Sequence, residues 1–170
     1  MRLVRVLLVA IGLAIIASFF IPYFSSTEEG KALAEIGSDI KPFETVDMTA
    51  KDLENPSLFT YTKVYFQGGQ EIFHDSVSGT VYAILYCLVP VFGLLIFLFG
   101  ATGKGIPALI FSVLLGADAF LIRKDFVMRG VTPSNTITDG IGYYMIYACA
   151  ALGLILSIFL IVTKSKAKRA

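Results

Sequence analysis

Asp118 is the residue whose type and position most invite chemistry, because it is the one ionisable side chain well inside a long apolar run. Counted from Lys104 at about 1.5 Å per residue, it lies about 21 Å along a helix that must cover roughly 30 Å of hydrocarbon, which places it in the outer half. A carboxyl there reads in two ways. It is a site that exchanges a proton or cation, or it is a structural acid paired with Arg123 or with a hydroxyl of Tyr82, Tyr143, Tyr144 or Tyr147. One acid without a second carboxylate or a lysine makes a poor relay, which favours the structural reading.

The remaining reactive residues give less. His74 is the sole histidine, beside Asp75 and close to Glu71, Ser76 and Ser78. A metal site needs three or four ligands at suitable spacing, and a serine hydrolase needs a Gly-x-Ser-x-Gly elbow. Neither pattern is present, so His74 reads as a solvent-facing residue at a helix entry. Cys87 and Cys149 each fall in an apolar run, where a thiol behaves as a small hydrophobe, and both are expected free. The stretch Gly100-Ala-Thr-Gly-Lys-Gly105 lacks the spacing of a phosphate loop and has no strand before it. It reads as a tight hairpin between two membrane helices. These residues predict no catalytic centre, no metal and no cofactor.

The elements that position them are set by composition. Of 170 residues, 56% are hydrophobic and only 16% charged, and the mean hydropathy is +0.76. That excludes disorder and argues against a globular cytosolic enzyme. A net charge of +1 with no nucleic-acid motif excludes a nucleic-acid partner. Four apolar runs predict spans at about 6–24, 81–99, 106–122 and 141–162, matching the roughly 17–25 residues that cross a bilayer. Lipid leaves no water to satisfy backbone groups, so each is expected to be helical. The first is read as a retained helix rather than a cleaved signal, since its aromatic end Phe19-Phe20-Ile21-Pro22-Tyr23-Phe24 suits an interface anchor. Pro90 with Gly93 one turn on predicts a kink in the second.

Charge sets the threading. With both termini inside, the inner pieces carry Arg2, Arg5, Lys104, Lys164, Lys166, Lys168 and Arg169 and no acid, as the positive-inside rule asks. The outer loop 25–79 carries ten acidic residues and four lysines. The second outer loop, 123–140, is the one dissent, with Arg123, Lys124 and Arg129 against Asp125 and Asp139.

The long loop is expected to fold into a small α+β cap. Ser26-Thr27-Glu28-Glu29 is a capping box, and Lys31 to Ile36 followed by Gly37 completes a helix of two or three turns. Thr49 to Asp52 reads as the start of a second short helix ended by Asn55-Pro56. Leu58 to Gln67, rich in Thr, Tyr, Phe and Val, reads as a strand. Gly68-Gly69 then reads as its turn, and Gln70 to Phe73 as the returning partner. Residues 1–170 make a single polytopic domain: an all-α membrane protein, a four-transmembrane-helix bundle with a small extracytoplasmic α+β cap.

A large first outer loop and a small second one resemble the claudin-type tetraspan plan, although that family's loop cysteines and tryptophans are absent. Ser18-Phe-Phe-Ile-Pro-Tyr23 closing a first helix and Asp139-Gly-Ile-Gly-Tyr-Tyr144 opening the last are similar to small bacterial tetraspan membrane proteins. That resemblance implies the four-span fold and no assigned activity. The expected role is a non-enzymatic accessory subunit in the cell membrane. Its acidic outer loop would meet a membrane or extracytoplasmic protein, with the lipid bilayer as constant partner. The alternative is a small ion or solute permease built around Asp118.

Overall fold

A computed structural model describes residues 2–167. Lys168 and Arg169, read above as inner-face bases, lie outside the described residues. Six helices and one small sheet follow in the order α1 Arg2–Ser18, β1 Phe24–Ser26, α2 Glu28–Ile36, α3 Leu58–Phe73, α4 Ser76–Thr102, α5 Gly105–Met128, β2 Ile137–Asp139 and α6 Ile141–Ala167. Three of them, α4, α5 and α6, are long and apolar enough to cross a membrane, with mean hydropathies of 2.5, 2.1 and 2.6. They mark a multi-pass membrane protein. The first apolar run forms α1, whose 17 residues end at Ser18, short of the predicted boundary at 24.

The chain divides into two compact units. An apolar helical unit comprises residues 1–17, 88–121 and 145–170, and an aromatic unit comprises residues 18–87 and 122–144. In the apolar unit α1 and α4 meet where neither has a side chain. A Cβ added at Gly12 would lie 2.7 Å from the Gly93 carbonyl oxygen, closer than real contacts allow. Gly93 therefore serves the α1–α4 contact, and Pro90 lies inside an α4 assigned as one continuous helix. Two of the predicted inner-face bases cap this end: Arg5 donates to the Ala101 carbonyl and Lys164 to the Gly103 carbonyl. Helix ends leave such carbonyls without intrahelical partners, and basic side chains there satisfy them.

The aromatic unit holds the surprises. Helix α2 forms as its local signals require: Thr27 accepts from the Gly30 N–H as N-cap, and Gly37 closes the other end. The stretch from Thr49 makes only a single turn, with Asp52 N–H donating to the Thr49 carbonyl and Thr49 N–H to the Asp52 carboxylate. The Thr49 N–H and hydroxyl, both donated to the carboxylate, hold the Asp52 carboxyl below its ordinary range. The expected hairpin is replaced by α3. Ser57 caps that helix by accepting from Thr60 N–H, and its buried positions Leu58, Val64, Tyr65, Gly68 and Gly69 fall at helical rather than alternating spacing. Gly68 and Gly69 are not a turn. A Cβ at Gly69 would stand 3.0 Å from the Cα of Gly79, so Gly69 lets α4 approach, whereas one at Gly68 would press on Val46 at 2.9 Å. The reversal comes instead at His74, the one non-glycine residue with positive φ among those described, at 55°. Asp75 then accepts from the Ser78 hydroxyl and the Ser78 and Val77 N–H groups at the start of α4, which holds its carboxyl below the ordinary range.

The sheet pairs segments from opposite ends of the chain. Strands β1 and β2 run antiparallel, with Phe24 opposite Asp139, Ser25 opposite Thr138 and Ser26 opposite Ile137. Neither is a strand anticipated from the sequence.

Candidate functional site

Asp125 and Arg129 stand one helical turn apart near the end of α5, four residues being the spacing that brings two side chains together. The Arg129 Nε donates to Asp125 Oδ1 at 2.7 Å. The other carboxylate oxygen accepts two phenols, from Tyr86 of α4 at 2.7 Å and from Tyr65 of α3 at 3.1 Å. The Asp125 side chain is 2% exposed, so the acid is removed from water and every direct partner is protein. Burial pushes the Tyr65 phenol above its ordinary value, which keeps it a proton donor toward the acid at neutral pH.

The arginine is boxed as well as paired. Its guanidinium carbon lies 3.8 Å from the Phe73 ring centroid, 4.9 Å from that of Tyr82 and 5.2 Å from that of Tyr65. Aromatic faces attract a cation electrostatically, and more strongly when water is excluded. Phe73 and Tyr82 stack at 5.3 Å with their planes 17° apart. The arrangement neutralises a buried acid with one cation and two hydroxyls. It also ties α3 and α4 to the end of α5. Every donor on Asp125 is spent on holding it, so the cluster is built to fix geometry rather than to move a proton.

A second junction joins the two short motifs. The N–H of Gly140 donates to the Tyr23 carbonyl at 2.8 Å, and the N–H of Gly142 to the Pro22 carbonyl at 2.9 Å. A Cβ at Gly142 would come within 2.8 Å of the Ile21 carbonyl oxygen, and one at Gly140 would collide with the Pro22 carbonyl. Arg123 pairs with Asp139 at 2.7 Å and lies 5.0 Å over the Tyr143 ring. Between the junction and the cluster, Tyr23, Phe24, Tyr61 and Tyr86 all pack on Phe126, Phe24 and Tyr61 edge-to-face and Tyr23 and Tyr86 tilted, with Tyr61 and Phe126 only 4.6 Å apart.

The residues expected to surround Asp118 do other work. Asp118 is 4% exposed, and both carboxylate oxygens lack a hydrogen-bond partner among the described residues. Arg123 is committed to Asp139, Tyr82 stacks beneath Arg129, and Tyr143 rests edge-on against Tyr23 and Tyr144. Tyr144 is largely exposed. The Tyr147 hydroxyl donates to the Ala119 carbonyl at 3.1 Å, next to Asp118 in sequence but to the backbone. His74 is exposed, and Cys87 and Cys149 are free thiols. No group of three or more His, Cys, Asp or Glu side chains among the described residues is placed to hold a metal ion.

Asp125, Arg129, Tyr65 and Tyr86 escaped the sequence reading, which weighed the two charged residues only for threading. Their four-residue spacing directly after the third predicted span, in what was read as the second outer loop, was the available signal. Together the fold and the cluster define a multi-pass helical membrane protein carrying an aromatic-cored unit pinned by two ion pairs. No protein-family model, curated protein or solved structure matches this chain.

Proposed function

We propose that the chain is a four-span protein of a bacterial cytoplasmic membrane with both termini inside. In this reading it is a non-enzymatic accessory subunit that meets a partner protein through its acidic outer segments. Helix α1 serves as the fourth span, lengthened to the interface by Phe19 and Phe20. In the second outer loop Arg123 and Arg129 are each held by an aspartate, Asp139 and Asp125, so neither is a free charge at that face.

The observation that carries the partner reading is α2. No residue of this helix is buried, and Leu33, Ile36 and the following Ile40 are 56%, 85% and 63% exposed. Glu28, Glu29, Glu35 and Asp39 flank them. Apolar side chains displayed on a capped, ordered element among acids suit a partner with an apolar anchor and a basic rim. A photoreactive amino acid placed at Ile36 is expected to give one discrete protein adduct in native membranes, with none from Gln67 on α3. Adducts confined to lipid, or absent at Ile36, would refute the reading.

Asp118 favours a second reading, a small ion or solute permease. Keeping a buried carboxyl that has no hydrogen-bond partner among the described residues costs several kcal/mol, and such groups inside membranes mark ion and proton paths. In liposomes Asp118→Asn is then expected to abolish a proton- or cation-dependent flux while leaving the folded fraction unchanged. Absence of flux in the unsubstituted protein at every pH would eliminate this reading.

A further inference from the structure

The apolar unit is charged almost wholly with one sign. Its described residues include five bases, Arg2, Arg5, Lys104, Lys164 and Lys166, and one acid, Asp118. Among the described residues no ion pair involves Arg2, Arg5, Lys104, Lys164 or Lys166. Among the described residues these cations have no counter-ion. At the turn between α4 and α5, Lys104 and Lys164 adjoin a cavity of about 690 Å³, formed by that turn and the last turns of α6. Its wall combines Lys104, Lys164 and Ser165 with Ile106, Pro107 and Ile161. A separate cleft of about 320 Å³ repeats the combination, with Arg2 and Arg5 beside Val6 and Val9.

We infer that the larger cavity is a binding site for the phosphodiester headgroup of an anionic phospholipid. Two ammonium groups and a hydroxyl supply donors for phosphate oxygens, and no carboxylate in the wall opposes them. Lys164 spends one donor on the Gly103 carbonyl, which holds its ammonium at the rim with two N–H bonds left over. The apolar wall distinguishes a lipid from free phosphate. Ile106 is 63% exposed, and Ile110 and Val113 continue its row along α5, each about half exposed. A glycerol and acyl chain can lie along that row while the headgroup sits between the lysines. Basic pockets between membrane helices are known receptors for such headgroups. This inference requires only that the helices sit in a bilayer, and it stands or falls independently of what the acidic segments bind.

Native mass spectrometry of the full-length protein, released from nanodiscs of equal phosphatidylglycerol and phosphatidylcholine, reads the preference directly. Phosphatidylglycerol adducts are expected to exceed phosphatidylcholine adducts by about thirtyfold, the factor two bases at a lipid surface supply. Lys104→Gln/Lys164→Gln is expected to bring the two lipids to near parity. Lys104→Glu, which alters a side chain that makes no hydrogen bond among the described residues, is expected to invert the preference. Lys63→Glu in the aromatic unit should leave it unchanged. Equal adducts in the unsubstituted protein, or an undiminished preference in Lys104→Glu, would overturn the inference. Displacement of the lipid by millimolar inorganic phosphate would also overturn it, in favour of a soluble-anion site.

Discussion

Asp125→Leu is expected to lower the folding free energy by about 4 kcal/mol, the cost of leaving one member of a buried ion pair without its partner. Three groups lose their acceptor at once: the Arg129 guanidinium and the hydroxyls of Tyr65 and Tyr86. The arginine cannot discharge itself by losing a proton, and Phe73 and Tyr82 box it away from a compensating anion. Denaturant unfolding in detergent, followed by circular dichroism, measures the loss. Removing both charges should be milder, because replacing a buried pair by apolar groups of similar volume is often close to neutral. Asp125→Leu/Arg129→Met is therefore expected to recover about half of the single-variant loss, limited by the two tyrosine hydroxyls still unsatisfied. A single-variant loss below about 1 kcal/mol would mean that the pair behaves as a solvated surface bridge and that the cluster does not pin α3 and α4.

Gly140→Ala is the second large effect, at about 3 kcal/mol. The added methyl meets backbone, not a side chain able to turn aside: the Pro22 carbonyl lies where the Cβ would go. Relief requires that β2 move away from β1, which breaks the Gly140 N–H bond to the Tyr23 carbonyl and disturbs the Arg123–Asp139 pair beside it. Gly116→Ala on α5 serves as the comparison. Nothing lies within 4 Å of a Cβ there, so the same chemical change is expected to be neutral or stabilising by up to about 1 kcal/mol, as alanine is for any helix interior. Melting temperatures of the two variants in one detergent give the contrast, and equal shifts would show that the two motifs do not interlock.

Several features were legible in the residues because their causes are local. The α2 start and stop were visible in Thr27 and Gly37, since an N-cap oxygen reaches only three residues along the chain. The long apolar helices were visible because lipid demands an unbroken apolar length, and length is a property of one segment. The identity of α3 was not, and the reason is specific. Gly68-Gly69 carries the same letters whether it turns a hairpin or makes room inside a helix, and only the positions of Val46 beside Gly68 and Gly79 beside Gly69 decide between them. The candidate site divides the same way. Asp118 stood out because a charge in an apolar run is conspicuous. Asp125 and Arg129 did not, because their tyrosine partners come from α3 and α4, and α3 was itself assigned to a strand.

What the amino-acid order determined alone is where the chain must avoid water, which ends are basic, and where short-range caps begin and end helices, for each depends on neighbours a few residues away. What tertiary structure decided is which aspartate is satisfied and which is not, and that Ser18–Tyr23 is held against Asp139–Tyr144. Those outcomes rest on contacts between residues tens to more than a hundred positions apart, whose geometry no local pattern encodes.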